Sequence, residues 1–401
     1  MKGRCAPVVL RGVTVVNPGS EPLEHHDIHI GEDGMIESVS PAGTRSARGA
    51  ELDARELVAF PGLIDMHVHL CFSPHHHPQD MMSTIEAAEL EELVATNARD
   101  TLARGVTTVR DLGGPGEVVR DLKRRIADGD LHGPRIQCAG PPLTKPAGHC
   151  WFIGDVVHGQ DELAETIARH GASDDEWLKL MVTGGMLTRG CDPEHLQFHP
   201  VELEDAVRIA KELGLETAAH VLSLEGSTAA VEAGIRTIEH GVGLSRELAR
   251  TMRERDQVLV PTLAASRLAL LASPDSDEED MVQARALEAS HWRSVGWAIE
   301  AGVAIVAGSD AGCPDVPHGS AAAEVELLEQ AGLDRAQALM AATSVAARVL
   351  GLPQVGRIEA GFCADLLLLG ADPTADVTTL ANPLAVYAGG TRVATEGATT
   401  A

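Results

Sequence analysis

The first sixty residues alternate β-branched or apolar positions with polar ones, as in VVLRGVTVV and DIHIGEDGMIESVS, and Gly-rich and Pro-Gly turns punctuate them. This period of two predicts antiparallel β structure from about Pro7 to Phe60. From Pro61 the pattern changes to short apolar runs separated by amphipathic segments of helix length, the βαβ signature of a parallel sheet. Eight runs qualify as strands: 63–69, 107–111, 135–139, 177–182, 216–220, 237–240, 258–261 and 304–308. A last helix follows at Gln337–Leu350, and VGRIEAGFCADLLLL then returns to β character. The predicted class is α/β: a (β/α)8 TIM barrel over 61–350, with a small β-sandwich domain built from both chain termini, 1–60 and 351–401. Apolar runs at this spacing also fit a doubly wound sheet, so the polar residues at strand ends have to decide between the two.

Composition agrees with a large folded core, since 44% of the 401 residues are hydrophobic and 23% charged. The formal net charge of −27 disfavours nucleic acid and anionic membrane surfaces as partners, because both are bound through clustered Lys and Arg. No apolar h-region follows Met1-Lys2-Gly3-Arg4 and no run approaches ~20 apolar residues, so the expected compartment is the cytoplasm. Seven scattered cysteines without a CxxC suggest neither a disulfide framework nor a four-cysteine zinc site. A homo-oligomer acting on a small molecule is expected.

Candidate chemistry gathers at the strand ends. In PGLIDMHVHL, His67 and His69 stand two apart on a strand, so both imidazoles leave the same face and can grip one ion. Lys179 lies inside the apolar run EWLKLMV, where an ammonium is costly to bury; alone it would be read as snorkelling or ion-paired. His220 in ETAAHV and His240 in TIEHGV each close a short strand, where a lone histidine is more often a satisfied core residue. Asp310 in VAIVAGSDAG ends the last strand, where an Asp often serves as a helix N-cap. Taken together, polar positions at the ends of strands 1, 4, 5, 6 and 8 converge on the barrel face that carries active sites.

The order His-x-His, Lys, His, His, Asp resembles the amidohydrolase superfamily, and within it the binuclear members with a carboxylated lysine. TGG after Lys179, IEHG at His240, AGSDAG at Asp310, PHGSAAAEVELLEQAG and the GxIxxGxxADL pattern look like the branch of Xaa-Pro dipeptidases, ochratoxin-type amidases and imidazolonepropionase relatives. Cys71 stands where dihydroorotase-like members carry Arg, and Lys179 is absent from mononuclear deaminases, so both of those activities fit less well.

The resemblance implies two divalent ions, Zn2+ foremost with Mn2+, Co2+ or Fe2+ as alternatives. His67, His69 and Asp310 would hold the more buried ion and His220 and His240 the outer one, with Lys179, carbamylated by CO2, as the bridge. It further implies that a hydroxide between the ions attacks an amide carbonyl while Asp310 moves the proton to the leaving nitrogen. His149 in TKPAGHCW resembles a substrate-contacting histidine of the branch, with catalysis a further role open to it. Cys150 and Trp151 would shape a pocket wall, and Arg189 could take a substrate carboxylate or be a solvated surface residue. Leu222 replaces a His or Tyr frequent in the branch, which weakens dipeptidase-type recognition, and His75-His76-His77 reads as a solvated loop or a lid. The expected function is hydrolysis of an amide in a dipeptide or N-acyl amino acid. Carbamates, ureas, lactams and cyclic imides are the alternative, and a non-catalytic scaffold is a remote third.

Overall fold

The computed structural model of the chain describes residues 5–46, 49–272 and 279–393. Five strands come first: β1 Val8–Val15, β2 Leu23–Ile30, β3 Ile36–Pro41, β4 Ala50–Asp53 and β5 Val58–Pro61. The barrel region follows with β6 Leu63–Val68, β7 Val106–Asp111, β8 Arg135–Cys138, β9 Leu143–Thr144, β10 Asp155–Val156, β11 Trp177–Met181, β12 Glu216–Val221, β13 Thr237–His240, β14 Val258–Val260 and β15 Ala304–Ile305. The chain ends with β16 Leu366–Leu369, β17 Ala385–Ala388 and β18 Thr391–Val393. Residues 1–4 and 394–401, the extremes of the two predicted terminal pieces, lie outside the described residues.

Strands from both ends of the chain join one hydrogen-bonded sheet in the order β18-β17-β16-β5-β1-β2-β3, with β4 against β1. Its seam is the antiparallel pairing of β16 with β5. The LLLL run of β16 serves two cores, as the period of two requires. Leu366 and Leu368 pack with Leu10, Val13, Ile28 and Tyr387 inside the terminal domain. Leu367 and Leu369 face the barrel helices.

The barrel is a (β/α)8 array of parallel strands, β6-β7-β8 on one arc and β11-β12-β13-β14-β15 on the other. Backbone bonds close both gaps: Glu176 N–H donates to the Cys138 carbonyl (3.1 Å), and Met66 N–H to the Ala307 carbonyl (2.9 Å). The strand runs predicted from the sequence are present with ends shifted by at most a residue, except that the last, expected over 304–308, is only Ala304–Ile305. The small pair β9 and β10, absent from the sequence reading, is wedged beside β11 through Leu143 and Leu180.

Two further departures have clear causes. The predicted helix Gln337–Leu350 is two helices, Arg335–Ala341 and Ser344–Val349. They break at Thr343 because the Ala341 and Ala342 carbonyls leave the helical ladder to accept from Ala307 and Ile64 at the foot of the barrel. The β character expected from Val355 begins only at Leu366. Among the described residues no helix is long and apolar enough to cross a membrane.

Candidate active site

Strand β6 is buried along its whole length and carries His67 before its end, with His69 just beyond. The chain following β15 runs back along it, so that Asp310 N–H donates to the His67 carbonyl (2.8 Å) and His69 N–H to the Ala311 carbonyl (2.9 Å). This sets the Asp310 carboxylate against both rings, with its Oδ1 3.5 Å from His67 Nε2 and 3.5 Å from His69 Nε2. The three residues offer ligand atoms within 4.8 Å of one another. Asp65 clamps the turn from below, accepting from Ser309 N–H (2.9 Å), from the Ser309 hydroxyl (2.5 Å) and from His67 N–H (3.2 Å). Burial pushes the Asp65 carboxyl up to about 6, against those hydrogen bonds.

The rings are oriented from outside. His69 Nδ1–H donates to the Gly113 carbonyl (3.0 Å), and His67 Nδ1–H to Glu239 Oε2 (2.9 Å), so both Nε2 lone pairs are left facing Asp310. Glu239 in turn accepts from Arg110 (2.9 and 3.0 Å) and from the Thr237 hydroxyl. Arg110 reaches the Met66 carbonyl (2.6 Å) and stacks on Trp177, its guanidinium carbon 4.3 Å from the ring centroid. A cation and an anion are thus buried as a pair in the barrel interior, where either alone would be severely penalised.

His220 and His240 meet on the opposite side with His220 Nδ1 2.9 Å from His240 Nε2. The Gly184 carbonyl accepts a hydrogen bond from His220 Nε2–H (2.9 Å), and the Thr262 hydroxyl oxygen accepts one from His240 Nδ1–H (2.6 Å) because its own hydrogen goes to the Pro261 carbonyl (2.6 Å). A neutral imidazole carries one N–H, so the two nitrogens that face each other are both lone pairs. Two acceptors at that separation call for a cation between them, and Asp310 Oδ1, buried without a hydrogen-bond partner, makes the same demand nearby. The donor set therefore fits divalent ions. Burial, reinforced by Lys179 and by neighbouring imidazoles, holds His67, His220 and His240 well below the ordinary histidine value, which keeps them neutral as ligands must be. Burial also lowers Lys179, on β11, to about 8, although Glu239 and Asp310 oppose the shift.

The backbone at these strand ends is strained, since His240, Thr262 and Asp310 all have positive φ (63°, 55° and 59°). Such conformations persist in side-chain-bearing residues only where the surroundings over-determine them, and they gather at functional sites. Gly185 of the TGG motif has a different reason: a Cβ there would lie 2.4 Å from the His149 ring. That clearance lets His149 stack at 4.4 Å from His220. Thr188 contacts His149 Nδ1 (3.3 Å), and Gln197 with its amide turned accepts from His149 N–H (2.8 Å) while donating to the Met181 carbonyl (2.9 Å). Burial lowers His149 to about 3.

A cavity of about 510 Å3 opens over this cluster and is lined by all six candidate ligands, by His149 and Cys150, and by His75-His76-His77 at the rim. Two candidates from the sequence lie elsewhere. Arg189 is exposed and forks onto Asp80, and the half-exposed Trp151 packs edge-on against Phe152 outside the cavity lining. Sequence reasoning passed over Glu239, Arg110, Asp65 and Thr262. A signal was present for the first three, each a charged residue inside an apolar strand, which is the argument that singled out Lys179. Thr262 is an ordinary threonine in sequence and carried none.

Several known proteins have chains and folds similar to this one. The amidohydrolase family model matches residues 58–393. Ochratoxinase of Aspergillus niger is 26% identical over 94% of this chain and 84% of its own, and its crystal structure superposes with a TM-score of 0.84 over 98% of this chain and 96% of that one. A crystal structure of a Xaa-Pro dipeptidase with methionine bound in its active site gives a TM-score of 0.87 at 27% identity, covering 96% of this chain and 99% of that one. Imidazolonepropionase of Salinispora tropica is 25% identical over 90% of both chains.

Proposed function

Because the chain belongs to the amidohydrolase family, we propose that it hydrolyses the carbon–nitrogen bond of a small-molecule amide with two divalent ions held by His67, His69, Lys179, His220, His240 and Asp310. The observation that carries this reading is the facing pair of unprotonated nitrogens on His220 and His240, set in one cavity with the partnerless Asp310 Oδ1. Bound at these groups, divalent ions would lower the pKa of water from about 15.7 toward ~7 and polarise a carbonyl. Zn2+ suits imidazole and carboxylate donors best, with Mn2+, Co2+ and Fe2+ next.

The chain's own groups divide the remaining work. Lys179, held near 8, presents a neutral amine in appreciable fraction at neutral pH, and that form can combine with CO2 to give an anion fit to bridge two cations. Asp310 stands where its carboxylate can accept a proton from attacking water and deliver it to the leaving nitrogen. His149 stays neutral and is turned into the cavity, where it can donate to the carbonyl oxygen as that oxygen gains charge. Carbamates and ureas present the same carbonyl and are the second class that this machinery serves.

Metal-free protein should be inactive against a panel of amides, carbamates and ureas, and should recover with Zn2+ plus bicarbonate at two ions per chain. Asp310→Asn should retain metal while losing about 10²–10⁴-fold in kcat, since an amide oxygen can coordinate but cannot accept the proton. Full metal loading with no turnover of any panel member would reject the hydrolase reading, and near-normal kcat in the metal-loaded variant would reject Asp310 as the proton carrier.

A further inference from the structure

We propose that this site takes a neutral substrate, one with no carboxylate or other anion beside the scissile bond. The inference deepens the amide-hydrolase reading and rests on it. An amino-acid-derived amide brings a carboxylate to within a few atoms of the reacting carbonyl, and desolvating that anion is costly unless a cation or a set of N–H donors receives it. Among the described residues, the cavity lining holds no arginine, and its one lysine is Lys179, which the proposed reading commits to the metal cluster. Arg189, the first basic residue after the TGG turn, forks onto Asp80 outside the lining.

The backbone donors of one lining helix are also taken. The helix Leu263–Ala272 sends Ala265, Ser266 and Ala269 into the cavity, and its N-terminus would ordinarily attract an anion. Its first N–H groups instead donate to the buried carboxylate of Glu324, Leu263 N–H at 3.1 Å and Ala264 N–H at 2.7 Å. Of the imidazoles near the floor, His291 is spent on the Pro261 carbonyl (2.7 Å), and His149, fixed through Nδ1 by Thr188, has one nitrogen left, which the proposed reaction assigns to the scissile carbonyl oxygen.

Beyond the cluster, His149, His291 and the rim imidazoles, most of the described wall is apolar and its remaining charged groups are acidic. Leu222 and Val242, each two residues past a candidate ligand, join Met186, Leu187, Ala269 and Leu287 in the wall. Glu288 adds a carboxylate to the same lining, paired outward with Arg267 (3.0 Å). At the rim, Asp315 shares the lining with His75-His76-His77, its N–H tied to the Pro74 carbonyl (2.9 Å). The chain-wide charge of −27 works in the same direction by lowering the local concentration of anions.

The test is a matched pair that differs only in the carboxylate: N-acetyl-L-phenylalanine and N-acetyl-2-phenylethylamine. Both are titrated calorimetrically into the metal-loaded full chain, and amine release is measured in parallel. The neutral compound should bind about tenfold more tightly or better. Glu288→Gln should narrow the gap several-fold, and Leu222→Arg, which places a guanidinium in the wall, should reverse it. Equal or tighter binding of the acid to the wild-type protein overturns the proposal whether or not either compound is cleaved, as does binding of neither. Preferential binding of the neutral compound without cleavage of any amide leaves this inference standing and rejects the hydrolase reading instead.

Discussion

Glu239 shares its carboxylate between the Arg110 guanidinium and the Nδ1–H of His67, so a single side chain fixes both a ring and a buried charge. Partners of this kind set the tautomer and the angle of a metal-binding imidazole, and losing one typically costs 10–100-fold in metal affinity. Glu239→Gln should weaken metal binding by roughly that factor in a chelator competition. It should also lower stability by about 3–5 kcal/mol, because Arg110 is left buried without its anion. A purely structural role is separable from the positioning role. The double substitution Arg110→Met with Glu239→Leu removes both charges and should recover much of the stability, as apolar replacements of buried pairs often do. Metal affinity should stay low in that protein, since His67 has still lost its acceptor; recovery of both would show that Glu239 only packs.

One element is tied to its neighbours by a proton. Helix Gln160–Gly171 ends near His170, whose Nδ1 lies 2.7 Å from Asp175 and whose Nε2 lies 3.4 Å from Asp155, while Arg120 forks onto the same Asp175. Burial alone would lower His170, but the two carboxylates outweigh it and the imidazole is raised above the ordinary 6.5. A raised folded value means that this stabilisation is complete below the unfolded pKa and is lost as pH rises through the folded one. Wild type should therefore exceed His170→Gln by the most below about pH 6, by roughly 1.5–3 kcal/mol in denaturant titrations, with the difference shrinking at higher pH. A difference that does not change with pH would contradict the assignment. Elements like this helix were legible because their apolar positions repeat at fixed periods, and the HxH, Lys, His, His, Asp order was legible because each residue interrupts such a run. Thr262 and the break at Thr343 were not, since the first depends on the His240 side chain and the second on the Ile64 and Ala307 N–H groups, which only the closed barrel brings to them. The directions in which Arg189 and Trp151 turn were not legible for a related reason: nearness in sequence to a motif does not fix which way a loop residue faces.

At the scale of the molecule, the N-terminal crossing from the terminal sheet into the barrel is a single residue, Gly62, between β5 and the histidine-bearing β6. A Cβ at Gly62 would lie 2.2 Å from Thr107 Oγ1 and 2.5 Å from its Cγ2, both on the neighbouring strand β7. Gly62→Ala should therefore cost about 1–3 kcal/mol by overpacking, read as a lower denaturation midpoint. The strain sits at the root of β6, so metal affinity should fall together with stability, whereas an unchanged midpoint would mean that the strands separate freely at this joint. The seam between β5 and β16, with Asp310 delivered beside His67 by the last barrel turn, also bears on how the protein is made. Translation makes His67 and His69 first, Lys179, His220 and His240 later, and Asp310 and β16 after them. Under the proposed ligand set the triad of His67, His69 and Asp310 is complete only once Asp310 has been made, so an ion held there would enter after that point, from a donor that meets a chain already carrying all eight barrel strands rather than an emerging β6.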